Sequence, residues 1–413
     1  MRLLVVGINY TPELTGIGKY TGEMCAWLAG RGHDVRVITA PPHYPSWQIG
    51  EGYDGRGYRR EQRDGVEIVR CPIYVPADPR GAKRIASGAS FAVSAFPVAV
   101  REARRLRPDV VVGIAPSLMS AGPALAAAAL SGARSWLHVQ DFEVDAAFTL
   151  GVVKGRLAQS AALHVERALL RRFDAVSTIS PRMVEGLMRK GVSPDRVREL
   201  RNWVDTDAVR PLDRMTGYRA ELGLTREHVV ALYSGSMAAK QGLEHLAPTA
   251  RRMALARPEL IFLLCGTGFM KPVLMDAMAG LPNVRFLDLQ PLDRLPELLA
   301  TADIHLLPQR SEIMDLVMPS KLPPMLASGR PVVAMAAERT QVAVEALGRG
   351  LVVPPGDEAA FSHALSRLAA DADLRRRLGE EGRARALAHW SRDPLLLAFE
   401  EELSGLAEER WRS

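Results

Sequence analysis

Short runs of Val, Ile and Leu recur along the chain, separated by stretches whose apolar positions repeat every three to four residues. The runs at 3–6, 35–39, 67–71, 110–114, 135–139 and 175–178 are short and rich in β-branched residues, so they predict strands. Amphipathic stretches such as 19–31 predict helices between them. Apolar strands alternating with helices define a parallel sheet covered on both faces. The pattern stops at Asn202-Trp203-Val204-Asp205-Thr206-Asp207, passes Pro211 and a polar stretch, and begins again. The second series predicts strands at 229–234, 260–265, 284–287, 304–307, 331–334 and 351–353. A last amphipathic stretch, 394–411, has no strand after it. The expected fold is therefore α/β, with two doubly wound Rossmann-like domains, 1–205 and 206–393, facing a cleft, and a final helical segment, 394–413. Open parallel sheets bind ligands beyond the carboxyl ends of their strands, which directs attention to the loops there.

Composition sharpens this picture at a few points. A chain of 413 residues exceeds one ordinary core, which agrees with two domains. Cys25, Cys71 and Cys265 are far apart and odd in number, which argues against a disulfide framework or a zinc site and fits a reducing cytosol. The opening run Arg2-Leu3-Leu4-Val5-Val6-Gly7 is too short for a signal-peptide core. The longest apolar candidate for a span, 85–100, is interrupted by Ser87, Gly88, Ser90, Ser94 and Pro97. The expected location is thus cytoplasmic. The net charge of +6 is uneven. Arg56, Arg59, Arg60 and Arg63 cluster. Lys83 and Arg84 precede an apolar stretch around Phe91 and Phe96, and Arg101, Arg104, Arg105 and Arg107 follow it. Such flanks suit an anionic membrane surface and a peripheral protein, or else a solvated helix face. Nucleic acid is not expected, because no binding motif accompanies the charge and aromatic residues make up only 6%.

Several loops carry candidate chemistry. Met318-Pro319-Ser320-Lys321-Leu322 reads as a helix start in which Ser320 caps free N–H groups and Lys321 adds a cation, a combination suited to a phosphate. Taken alone it is equally an ordinary capped helix with a surface lysine. Gly329 would end that helix and Pro331 open the next strand. After the first strand, Tyr10 and Glu13 precede Gly16 and Gly18, which would let backbone approach a phosphate or sugar at a helix beginning near Lys19. The spacing is not that of a dinucleotide fingerprint. The proline-stiffened loop after the second strand presents His43, Tyr44 and Trp47, for stacking on a sugar or lipid head or for covering the core. After the fifth strand, His138, Gln140, Asp141 and Glu143 suit acid–base work or hydroxyl binding. No cluster has metal-ligand spacing, so no metal is assigned. In the second domain, Gly235, Ser236, Lys240 and Gln241 follow one strand, Gly266 another, and Gln290-Pro291 could present backbone groups to a flat base.

Taken together, GINYTPELTGIGKYTGEM, VRVITAPPHYP, HVQDFEVDA, YSGSMAAKQGLE and MPSKL resemble glycosyltransferase family 4, retaining nucleotide-sugar enzymes of the GT-B fold. Within it the likeness is to the colanic-acid biosynthesis glycosyltransferases of bacterial exopolysaccharide pathways, and it covers nearly the whole chain. The resemblance implies hexosyl transfer from a nucleotide-sugar donor to a lipid-linked saccharide acceptor, with no metal or other cofactor, because positive side chains meet the leaving diphosphate. It implies acceptor binding in the N-terminal domain, donor binding in the C-terminal domain, and a last helix crossing back to the first. Lys321, Lys240 and Asp141 become the candidate catalytic residues. Gly16, Gly18, Gly235, Ser236, Gln241, Gly266, Gln290, Pro291 and Ser320 join Lys321 on the donor side. Tyr10, Glu13, His43, Tyr44, His138 and Gln140 are assigned to the acceptor. Two glutamates common in the family fall here on Leu316 and Pro324, with Glu312 and Asp315 nearby. The alternatives are a nucleotide-sugar epimerase or hydrolase on the same scaffold, or a catalytically silent partner.

Overall fold

The computed structural model describes residues 1–14, 16–78, 81–116, 118–149, 155–238, 241–310 and 319–412. Five of the residues singled out above lie outside them: Lys240, Glu312, Asp315, Leu316 and Met318. The chain divides into two compact units, Met1–Arg201 with Asp393–Ser413, and Asn202–Arg392.

In the first unit the described strands are β1 (Arg2–Gly7), β2 (Asp34–Thr39), β3 (Arg59–Arg63), β4 (Val66–Arg70), β5 (Val110–Ala115), β6 (Arg134–Val139), β7 (Ala175–Thr178) and β8 (Val197–Glu199). They form one sheet in the order β3-β4-β2-β1-β5-β6-β7-β8. The central strands are parallel and β3 alone pairs antiparallel, with β4. β1 and β5 are almost wholly buried, as their unbroken apolar runs require of a sheet covered on both faces. Helix Ala82–Leu106 buries Phe91, Ala95, Val98, Ala99 and Ala103 and runs through Pro97. The helix Arg392–Arg412 returns to this unit, where Phe399 meets Trp136 of β6 edge-on at 5.2 Å.

Two strands were not legible in the hydrophobic pattern. β3 reads RREQR, with no apolar alternation at all. It is held by the β4 ladder and by charge: Arg60 pairs with Glu67 at 2.6 Å and with Glu102, to which Arg36 also donates at 3.1 Å. Burial works against the Glu102 carboxylate, yet Arg60, Arg36 and Arg101 together hold its pKa below the usual range. Most of the arginine cluster is thus part of the fold's edge. β8 is a three-residue edge strand, too short to register as a pattern.

The second unit repeats the plan with β9 (Val229–Ser234), β10 (Leu260–Cys265), β11 (Val284–Leu287), β12 (Ile304–Leu307), β13 (Val332–Met335) and β14 (Gly350–Val353). Their order is β11-β10-β9-β12-β13-β14, all parallel. Side chains alternate between two cores along β9: Val230 and Leu232 belong to one, Val229, Ala231 and Tyr233 to the other. β9 and β10 are central, so their carboxyl-end loops lie side by side.

Candidate functional site

In the second unit the loops after β9 and β10 are stitched together by backbone. Gly235 N donates to Cys265 O at 2.9 Å, Met237 N to Thr267 O at 2.8 Å, and Met270 N to Met237 O at 2.9 Å. A Cβ at Gly266 would lie 1.9 Å from Gly235 O, and that backbone has φ 153°, so the position accepts no side chain. Lys321 reaches this double loop from the start of the short helix Leu322–Ala327. Its Nζ donates to Tyr233 Oη, to Gln241 Oε1 at 3.2 Å and to Ser236 O at 3.4 Å, and it sits 4.0 Å from the centre of the Tyr233 ring. Burial pushes the Tyr233 phenol up, so it keeps its proton and donates to Ser236 O at 2.6 Å. The result is a relay from ammonium to phenol to loop carbonyl that fixes a cation at the lip of the glycine loops. A cation so placed can meet a phosphate.

The structure therefore brings Gly235, Ser236, Gln241 and Lys321 together, with Gly266 packed directly behind Gly235. Ser320 does not act as the cap expected from the sequence. Lys321 itself occupies the capping position, no side chain caps the helix, and Leu322 N turns back to Pro319 O at 3.1 Å. Gln290 spends its side chain internally: Oε1 accepts from Tyr218 Oη at 2.9 Å and Nε2 donates to Asp288 O at 2.9 Å. Pro291 opens the turn Leu292–Arg294. Tyr233 was missed by sequence reasoning. A tyrosine closing an otherwise aliphatic strand was the available signal.

In the first unit, buried Arg70 of β4 pins the loops after β1 and β2 by donating to Thr11 O at 2.6 Å and Ala40 O at 2.9 Å, with Glu61 of β3 on its Nε. Between those loops lies Glu13, 5% exposed. Its carboxylate accepts from His43 N and Tyr44 N, both at 3.1 Å, and from Asn9 Nδ2 at 3.0 Å. Burial raises its pKa, while His43 and these donors oppose that shift. His43 Nδ1 donates to Pro41 O at 2.9 Å. Glu13 is thus a clamp that shapes the 41–44 loop and presents His43 and Tyr44.

Five residues assigned to substrate are engaged within the first unit. Gly18 is small because Glu13 fills its space, a Cβ there lying 2.4 Å from Oε2, and Gly16 adopts φ 66° beside the Tyr44 ring at the start of helix Ile17–Gly30. Packing against Glu13 accounts for Gly18, and a left-handed backbone for Gly16. Tyr10 is 1% exposed, and burial, with its contact to Cys25, pushes its phenol up; it is a core residue. His138 is equally internal. Nδ1 meets Ser177 Oγ at 2.8 Å, Nε2 meets Gln140 Nε2 at 2.9 Å, and burial lowers its pKa to about 3, so it is neutral and bonded on both sides. Gln140, 5% exposed, is its partner.

Beyond Gln140, Asp141 is partly exposed and electrostatically coupled to Tyr44 and to Glu143. Burial raises the Glu143 pKa to about 7; Asp141 adds to the shift and Arg84, donating at 3.1 Å, opposes it. Lys190 holds the following helix Glu143–Thr149 in place by pairing with Asp145 at 2.5 Å and with Glu166. Glu143 and Arg84 were visible in the sequence as residues but not as a pair, since 59 positions separate them. No group of three or more His, Cys, Asp or Glu among the described residues is placed to hold a metal ion.

Two largely parallel sheets, each with glycine-containing loops and polar residues at its strand carboxyl ends, make two Rossmann-like halves suited to binding a ligand there. Comparison with known proteins agrees. Residues 15–203 match the glycosyl transferase 4-like domain, and residues 228–371 match the glycosyl transferases group 1 domain. The chain is 44% identical over 350 residues to the putative colanic acid biosynthesis glycosyl transferase WcaI of Escherichia coli K12, spanning 83% of this chain and 85% of that one. Sucrose-phosphate synthase from Thermosynechococcus elongatus shares the fold with a TM-score of 0.77 at 20% identity, covering 98% of both chains. Anabaena Alr3699/HepE, solved in complex with UDP-glucose, superposes with a TM-score of 0.71 at 14% identity over 98% of this chain and 100% of its own. The chain belongs to the glycosyltransferase family that includes the colanic acid biosynthesis enzymes.

Proposed function

We propose that this glycosyltransferase moves a hexose, with retention, from a nucleotide-sugar donor to a lipid-linked saccharide in exopolysaccharide assembly. The observation that carries the donor half is the Lys321 ammonium fixed over the Gly235–Ser236 and Gly266 loops. A leaving diphosphate develops negative charge as the glycosidic bond breaks, and a preorganised cation beside bare backbone lowers the barrier without a metal. Gln241 and Ser236 orient that cation, and the loop ending in Gln290-Pro291 is the neighbouring surface for the base. In the first unit, the Glu13 clamp presents His43 and Tyr44, and Asp141 with Glu143 offers carboxylates to sugar hydroxyls.

The acceptor half draws support from helix Ala82–Leu106. Ile85, Val93 and Phe96 are exposed at 50%, 75% and 48%, with Lys83, Arg84, Arg101, Arg104 and Arg105 also exposed. Among the described residues no helix is long and apolar enough to cross a membrane. An apolar stripe with basic ends suits peripheral contact with an anionic leaflet, where a lipid-linked acceptor would be met.

The test is a thermal-shift panel of UDP, GDP, dTDP and their sugars on the purified chain, because a ligand that binds only the folded state raises its apparent stability. A selective shift with one base supports the reading and names the donor class. No shift at concentrations that stabilise a related enzyme overturns it.

A further inference from the structure

Ser46, Trp47, Gln48, Ile49, Val75 and Ala77 line an open groove of about 350 Å³. Trp47 there has φ 54°, a left-handed backbone that a bulky residue rarely adopts. Its ring is fixed edge-on to His43, centroids 5.9 Å apart at 71°. The Arg84 guanidinium carbon lies 6.0 Å from the same ring, while its Nη2 donates to Glu143. Arg84 is 53% exposed, so the guanidinium has room for a second partner. The groove thus pairs apolar surface from Trp47, Ile49, Val75 and Ala77 with polar Ser46 and Gln48, and the Arg84 cation stands beside its Trp47 wall, next to exposed Ile85 on the basic helix.

We propose that this groove binds an alkyl phosphate, with the chain against Trp47, Ile49 and Val75 and the phosphate on Arg84. The ligand would be the lipid-phosphate part of the acceptor, so the inference rests on the lipid-linked reading above. Guanidinium groups bind phosphate through paired N–H donors, which a lysine cannot reproduce. Glu143 keeps the guanidinium oriented. Because burial raises its pKa to about 7, Glu143 can take up a proton when a phosphate arrives, which removes the clash of two anions on one cation. Trp47 offers the chain a flat apolar wall and carries the geometry back to His43, tying the groove to the Glu13 clamp.

Decyl phosphate below its micelle concentration, titrated calorimetrically into the full chain, is the probe. Saturable binding is expected, weakened at least tenfold by Arg84→Gln and only partly restored by Arg84→Lys. Decanol and inorganic phosphate should each bind at least tenfold more weakly than decyl phosphate. Absence of binding to the wild-type chain, or equal binding by Arg84→Gln, overturns the proposal. So does equal binding of decanol, which would mean an apolar surface without phosphate recognition, or of inorganic phosphate, which would mean a bare anion site. Transfer assays separate this from the parent reading. If the wild-type enzyme uses free and lipid-diphosphate-linked saccharides with equal kcat/KM, the lipid-linked reading falls. If it prefers the lipid-linked form and Arg84→Gln keeps that preference, only the groove falls.

Discussion

Glu143 makes stability depend on pH in a direction opposite to most carboxylates, and its replacement by Gln isolates the effect. Its folded pKa is about 7 against an ordinary 4.5, chiefly because burial disfavours the charged form. The sign follows from proton binding. Below pH 4.5 both folded and unfolded chains hold the proton and the group contributes its full stability. Between 4.5 and 7 the unfolded chain has released it while the folded chain keeps it, so stability falls as pH rises. Above 7 both are ionised and the fall is complete. A shift of about 2.5 units corresponds to about 3 kcal/mol, an upper value because the carboxyl keeps 30% exposure. Glu143→Gln cannot titrate, so the stability difference between variant and wild type should grow by up to about 3 kcal/mol from pH 4.5 to 8, in favour of Gln at the alkaline end. Urea unfolding of both chains across that range, followed by a probe of the first unit, measures it. Parallel stability profiles for the two chains would refute the buried-carboxyl reasoning. Arg84→Gln should move the falling limb to still higher pH, because Arg84 opposes the shift.

Other outcomes follow from the same geometry. Lys321→Ala should weaken nucleoside diphosphate binding by about 10–100-fold, the worth of a charge-assisted hydrogen bond, with little change in melting because Tyr233 Oη still donates to Ser236 O; unchanged calorimetric affinity would remove Lys321 from the site. Gly266→Ala should destabilise the second unit by about 3 kcal/mol, since its Cβ would collide with Gly235 O; an unaltered unfolding midpoint would contradict the loop packing. Glu13→Ala should leave the N–H groups of His43 and Tyr44 unpaired and cost the first unit roughly 2–4 kcal/mol in denaturant unfolding. Replacing Arg101, Arg104 and Arg105 with Gln should weaken partition to anionic vesicles roughly 100-fold, at about 1 kcal/mol per charge. A wild-type chain that stays in the supernatant when the vesicles sediment would end the membrane reading.

The alternation of apolar runs with amphipathic stretches determined, by itself, two parallel sheets and the loops where chemistry collects. This works because a buried parallel strand must be apolar on both faces, a property written locally in each run. β3 escaped because its strand character comes from β4 and from glutamates far away in sequence. Lys321 was legible as a cation at a helix start and Gln241 as a donor-side residue, but Tyr233 was not, and neither contact to Lys321 could be read across the 88 and 80 residues between them. Gly18 shows the same limit more sharply. A glycine before a helix invites the reading of ligand approach, whereas here the missing side chain makes room for Glu13. His138 read as an acid–base or hydroxyl-binding group, but Ser177 and Gln140 occupy its two nitrogens. Residue type and spacing decide which groups a loop can offer. Whether a group faces substrate or is consumed by the protein is decided by neighbours that only folding brings within hydrogen-bond distance.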